Sequence, residues 1–205
     1  MISSCLRRYA GMMAGLAALA CGGSAGAAGS SSMVVGGLTS QPIGHYEFCQ
    51  RYPKECSIRL RDDGPLHLTD IIWKQIVAVN TAVNEAVTAM SDADIYGKDE
   101  VWAYPDHGVG DCEDYALEKR RALVRRGISL TNLLMTVVRK PDGEGHAVLT
   151  VRTDKGDFIL DNLSSKVLEW DLTPYRYLKR QASSSPGRWV SIQDGAQTLV
   201  GSVSN

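Results

Sequence analysis

The sequence predicts an α+β domain, with helices first and an antiparallel sheet after them. Two patterns carry that expectation. Apolar residues recur at helical spacing between Thr69 and Met90 and again after Asp111, whereas from Leu133 to Asp161 short alternating runs are separated by tight turns. With 205 residues, 44% of them hydrophobic, the chain has the size of one ordinary domain with a real core. Its 22 Lys and Arg against 23 Asp and Glu give a net charge of −1, which argues against a nucleic-acid partner or an anionic membrane surface.

Taken in order, the N-terminus reads as an export signal. Arg7 and Arg8 supply the positive region, Tyr9–Ala20 the apolar stretch, and Ala25-Gly26-Ala27 or Gly26-Ala27-Ala28 the small-residue cleavage site. That stretch is shorter than the roughly 20 apolar residues a bilayer span needs, so no integral membrane segment is expected after signal removal. The division expected is a signal peptide at 1–27, a flexible Gly- and Ser-rich lead-in at 28–44, a domain at 45–193 and a polar tail at 194–205. Cys21 lies where a lipidated cysteine can sit, but Ala18 occupies the position where Leu is usual. Cys5 and Cys21 leave with the signal, which keeps Cys49, Cys56 and Cys112. Cys49 and Cys56 are seven residues apart with Pro53 between them, a spacing compatible with a small-loop disulfide in an oxidising compartment. Cys112 is then the odd thiol.

Between Thr69 and Met90, residues Ile72, Ile76, Val79, Val83, Val87 and Met90 form one apolar stripe, with Thr69 as N-cap. Ser91–Gly110 is rich in Asp, Gly, Pro and aromatic residues and reads as a functional loop packing its aromatics on the domain. A second helix is expected over Cys112–Arg126, capped by Asp111, with Glu113 and Asp114 in its first turn, Lys119 to Arg126 supplying positive charge toward its end, and Gly127 as its stop. Its apolar positions Ala116, Leu123 and Val124 make a narrow stripe. Strands then follow at Leu133–Arg139, His146–Arg152 and Phe158–Asp161.

Three residues of this layout suit one chemistry. Cys112 opens a helix, where free N–H groups and the dipole favour a thiolate. His146 opens a strand after a turn, exposed and able to act as general base and acid. Asp161 closes the neighbouring strand and suits the role of orienting carboxylate. Singly, each has a plain structural reading: a buried small hydrophobe, a surface imidazole and a turn residue.

The local motifs go further. Gly110-Asp-Cys-Glu-Asp-Tyr-Ala116 with Lys119-Arg120, Gly145-His-Ala-Val-Leu149 and Leu160-Asp-Asn162, preceded by Tyr96-Gly97, Trp102 and Pro105, resemble the bacterial transglutaminase-like cysteine proteinases over residues 45–192. The resemblance implies a papain/transglutaminase-like fold, with the nucleophile at a helix start packed on the sheet. It implies Cys112 as nucleophile, His146 as base and Asp161 as orienting acid. The LapG-type members are periplasmic calcium-dependent proteases that release a large surface adhesin from biofilm cells. By that likeness Asp111 and Glu113 match calcium ligands, alanine-rich sequence matches the cleavage site, and an inner-membrane receptor is a candidate regulator. Two carboxylates do not complete a site of 6–8 oxygens, so carbonyls, Asn162 or water must add to them. The alternative for Asp111 and Glu113 is plain capping and dipole complementation. The Cys49–Cys56 pair is not a feature of the adhesin-processing members and leaves substrate and pathway open. Two other functions fit the same residues: an amidase or transglutaminase acting on glutamine side chains, and a non-catalytic binding module using the aromatic loop Tyr96–Tyr104.

Overall fold

The alternating runs between Leu133 and Leu160 build the centre of the sheet. In the computed structural model, which describes residues 32–193, β4 (Leu133–Arg139), β5 (Gly145–Thr153) and β6 (Gly156–Leu160) are adjacent and antiparallel. The expected signal peptide and C-terminal tail lie outside the described residues. Leu133, Met135, Leu149, Val151 and Leu160 point to one face and enter the main core with the helices. Val138, Val148 and Ile159 point to the other and form a smaller core with Tyr177 and Ile192. Each such side chain contributes about 1.5–3 kcal/mol on burial.

The sheet is wider than the sequence suggested. Its seven strands run in the order β1-β9-β8-β4-β5-β6-β7, with β1 (Val35–Thr39), β7 (Leu168–Glu169), β8 (Arg176–Ala182) and β9 (Ser185–Ile192) added around the central three. The stretch read as a flexible lead-in thus contributes an edge strand, paired with β9 through Val35↔Ile192 and Leu38↔Val190. Its two glycines sit at a register shift, so no alternation announced it.

Helices cover the other side of the main core. α1 (Ile43–Arg51) and α2 (Pro53–Cys56) are joined by the Cys49–Cys56 disulfide, the pairing the spacing allowed. α3 (Asp70–Ala86) begins as expected, with Thr69 Oγ1 accepting from the Ile72 N–H, but ends before Met90. Val87 leaves the helix because Thr88–Ala89 (β2) pairs in parallel with Val109–Gly110 (β3). A short helix α4 (Asp92–Tyr96) lies in the segment read as loop; the Ser91 hydroxyl caps it and Gly97, at φ 70°, ends it. Of that segment's aromatics, Trp102 is buried beside Trp189 and His45 and Tyr104 packs partly buried on the core, whereas Tyr96 is exposed.

α5 (Cys112–Arg125) is the central helix, packed on α3 and β5. The expected narrow stripe is corrected here. Tyr115, Ala116, Leu117, Ala122 and Leu123 are all buried, Val124 is exposed, and Lys119 and Arg120 are buried rather than serving a solvated helix end. A helix enclosed by sheet on one side and helix on the other has no broad solvent face, so its pattern departs from the surface-helix period. Among the described residues no helix is long and apolar enough to cross a membrane.

Candidate active site

Register and packing together set the site. His146, in β5, pairs with Val138 of β4 and shares a face with Val148; Asp161 follows β6 on that face. Ala147, on the opposite face, donates its N–H to the Cys112 sulfur at 3.4 Å, tying the start of α5 to the residue beside the imidazole. Cys112, Glu113, His146, Ala147, Glu100 and Trp102 line one cleft of about 370 Å³.

The imidazole is oriented from behind. His146 Nε2 lies 2.9 Å from Asp161 Oδ1. An ionised carboxylate only accepts, so Nε2 carries the proton and Nδ1 is left unprotonated. Asp161 Oδ1 also accepts the Leu163 N–H at 3.0 Å, and Oδ2 accepts the Tyr175 hydroxyl at 2.6 Å. Burial alone raises this carboxyl, but the bonds from His146, Tyr175 and Leu163 outweigh it and hold Asp161 below the usual carboxylate range. His146 is only 6% exposed, so the exposed imidazole expected from sequence is a buried one.

The sulfur departs from expectation too. Cys112 Sγ donates to Glu113 Oε2 at 3.1 Å. Burial first, and then the adjoining Glu113 carboxyl, push the thiol well above its ordinary value, overriding the helix dipole that was expected to favour the thiolate.

Beside Cys112 lies an acidic cluster wider than the Asp111 and Glu113 pair matched from the sequence. Ligand atoms of Asp92, Asp111 and Asp114 all lie within 4.8 Å of one another, as do those of Asp111, Cys112 and Glu113. Asp111 stands at the N-cap position of α5 without a side-chain capping bond, so simple capping does not account for it. Asp92 Oδ2 accepts the Val101 N–H and Asp114 Oδ1 the Ala103 N–H, at 2.5 and 2.7 Å. Their remaining oxygens, with Asp111 Oδ1, are buried and have no hydrogen-bond partner. Burial, followed by repulsion from Asp111 among the charges, raises Asp92 to about 6 and Asp114 to about 7. Burial and Asp111 likewise push Glu113 up to about 9. Three converging, orphaned, hard oxygens fit a divalent cation of the calcium type. Gly110 permits the arrangement, since a Cβ there would stand 2.7 Å from Asp114 Cβ and Oδ2.

The expected ligands Asp111 and Glu113 stand in one group with Cys112, and Asp111 also stands in a second with Asp92 and Asp114; Glu113 in addition accepts from the thiol. Asp114 belongs to the same Asp-Cys-Glu-Asp run and was legible as a further acid. Asp92, on α4, had no spacing rule to reveal it.

Comparison with known proteins bears on this geometry. The family model of the bacterial transglutaminase-like cysteine proteinases matches residues 35–197. No curated protein matches the chain. Among solved structures, Legionella pneumophila LapG is similar at 26% identity and a TM-score of 0.50, over 58% of this chain and 68% of that one. Its calcium-bound form aligns at 25% identity and a TM-score of 0.51, over 63% and 75% of the two chains. Its EGTA-treated form gives 25% and 0.50, over 62% and 74%. The chain, with its α+β transglutaminase-like fold, belongs to the bacterial transglutaminase-like cysteine proteinases and is a cysteine peptidase.

Proposed function

We propose that this peptidase is exported and calcium-dependent, and hydrolyses a peptide bond of a periplasmic or surface protein with Cys112, His146 and Asp161. The observation that carries the triad is the bond from His146 Nε2 to Asp161, with the Cys112 sulfur held in the same cleft by the next residue's N–H. In this reading His146 Nδ1 takes the thiol proton and the Cys112 thiolate attacks the scissile carbonyl carbon. The tetrahedral oxyanion is met by the Cys112 N–H at the start of α5, which has no intrahelical acceptor. Collapse breaks the C–N bond, and the His146 imidazolium protonates the leaving amine. Water, deprotonated by His146, then hydrolyses the thioester and restores the thiol. Asp161 holds the tautomer and stabilises the imidazolium throughout.

Calcium, when bound by Asp92, Asp111 and Asp114, supplies positive charge beside the nucleophile and neutralises the cluster. Support comes from the orphaned oxygens and from a relative described in calcium-bound and EGTA-treated forms. An adhesin cut in alanine-rich sequence, and control by an inner-membrane receptor, follow from the LapG likeness and belong to this proposal.

The test is a peptide library rich in extended, alanine-containing sequences, incubated with the protein in calcium and in EGTA. New amino termini that appear only with calcium and vanish in Cys112→Ala are the expected result. Glutamine deamidation or cross-linking with intact backbones would instead assign amidase or transglutaminase chemistry.

A further inference from the structure

The Asp161–His146 pair is held by a group outside the three catalytic positions. Tyr175 lies between a 3-10 turn (Trp170–Leu172) and β8. Its hydroxyl donates to Asp161 Oδ2 at 2.6 Å, and its ring meets the His146 ring edge-on, with centroids 5.5 Å apart at 60°. One side chain thus touches both members of the pair.

We propose that Tyr175 is a positioning residue of the peptidase, pinning the Asp161 carboxylate through its hydroxyl and the His146 imidazole through its ring. The inference rests on the triad reading above. Asp161 Oδ1 is saturated by His146 and the Leu163 N–H, so rotation of the carboxylate is blocked only if Oδ2 is also held. Tyr175 does this at the edge of a cavity of about 210 Å³ lined by Asp161, Ser164, Lys166, Thr173 and Tyr175. Without the hydroxyl, Oδ2 faces that cavity. The ring packs edge-on against the imidazole, and His146 lines the cleft that also holds Cys112. The other ionisable groups acting on Asp161 are Lys119 from α5 and Tyr177 from β8, and neither changes in the variants below.

The test is an NMR titration of the His146 ring Cε1–H in the purified protein, with the exposed His67 and His107 as internal references. Tyr175→Phe keeps the ring and deletes the donor. Asp161 then offers more charge to Nε2–H, the imidazolium is stabilised, and the His146 midpoint rises by about half a pH unit. Replacing Tyr175 by 3-fluorotyrosine, a stronger donor, moves the midpoint down. A merely structural tyrosine lowers the melting temperature in these variants but leaves the midpoint in place. Midpoints equal to the wild type in both variants would overturn the inference, provided Asp161→Asn still lowers the midpoint. If Asp161→Asn also leaves it unmoved, it is the triad reading that fails.

Discussion

Two polar clusters back onto the cleft, one behind His146 and one beside Cys112, and they differ in how their hydrogen bonds close. On the strand side, every oxygen of Asp161 has a donor: His146 and Leu163 at one, Tyr175 at the other. On the helix side, Asp92, Asp111 and Asp114 converge with one oxygen each left unpaired. Asp161, Asp92 and Asp114 are all buried, so burial does not distinguish the two. The first is complete within the chain and holds its carboxylate ionised; in the function proposed above, a cation completes the second. In that proposal a fixed base stands beside a nucleophile site whose charge balance a bound metal would set.

The strand side is broken most severely by Asp161→Asn. The amide donates where the carboxylate accepted, the imidazole loses its tautomer, and hydrolysis falls by about 10²–10⁴-fold with KM little changed, as steady-state kinetics will show.

The helix side responds in the opposite sense. Calcium at a hundred times its Kd adds about 2.7 kcal/mol of stability, read as a rise in Tm. Asp114→Asn removes that rise, yet makes the metal-free protein more stable by about 1 kcal/mol, because a buried like charge is gone. A metal-free protein destabilised by Asp114→Asn would place this cluster with the satisfied one.

The pH dependence separates the two as well. Asp92 and Asp114 titrate at about 6 and about 7 in the fold, above the value near 3.8 of the free side chain. Folding therefore takes up protons, so the stability these groups contribute is full below about pH 4 and is lost as pH rises through 6 to 7. Each contributes a slope of up to about 1.4 kcal/mol per pH unit, and calcium flattens it. Asp161, held low, works the other way: its contribution is present above the unfolded value and is lost as pH falls. Denaturant titrations across this range in EGTA and in calcium measure the difference.

The smallest effect belongs to an ion pair at the surface. Asp62 accepts from Arg152 Nη1 and Nη2, at 2.8 and 2.6 Å. Asp62→Ala costs about 1 kcal/mol or less in denaturant unfolding and leaves peptide hydrolysis unchanged.

Local signals explain what was legible in the sequence. Strands β4 to β6 alternate and are joined by Gly-containing turns, and the three motif residues sit at element ends where sequence reads most clearly. Asp92 and Tyr175 escaped because they reach the site by tertiary packing, from a one-turn helix and a short connection, with no fixed spacing to Cys112 or His146. β1 and β9 escaped because their glycines and register shifts break the alternation. The helix dipole singled out Cys112, but the burial and the Glu113 contact that reverse its effect on the thiol come from the whole fold.

The most direct measurement is the rate of Cys112 alkylation by iodoacetamide against pH, read peptide by peptide, in calcium and in EGTA, for the wild type and His146→Ala. The expected result is slow labelling in EGTA, labelling at least about tenfold faster in calcium and persisting well below pH 8, and loss of that acceleration without His146. Equally slow labelling in all four conditions would contradict the account, since Cys112 would then be a buried thiol with neither a base nor a metal to activate it.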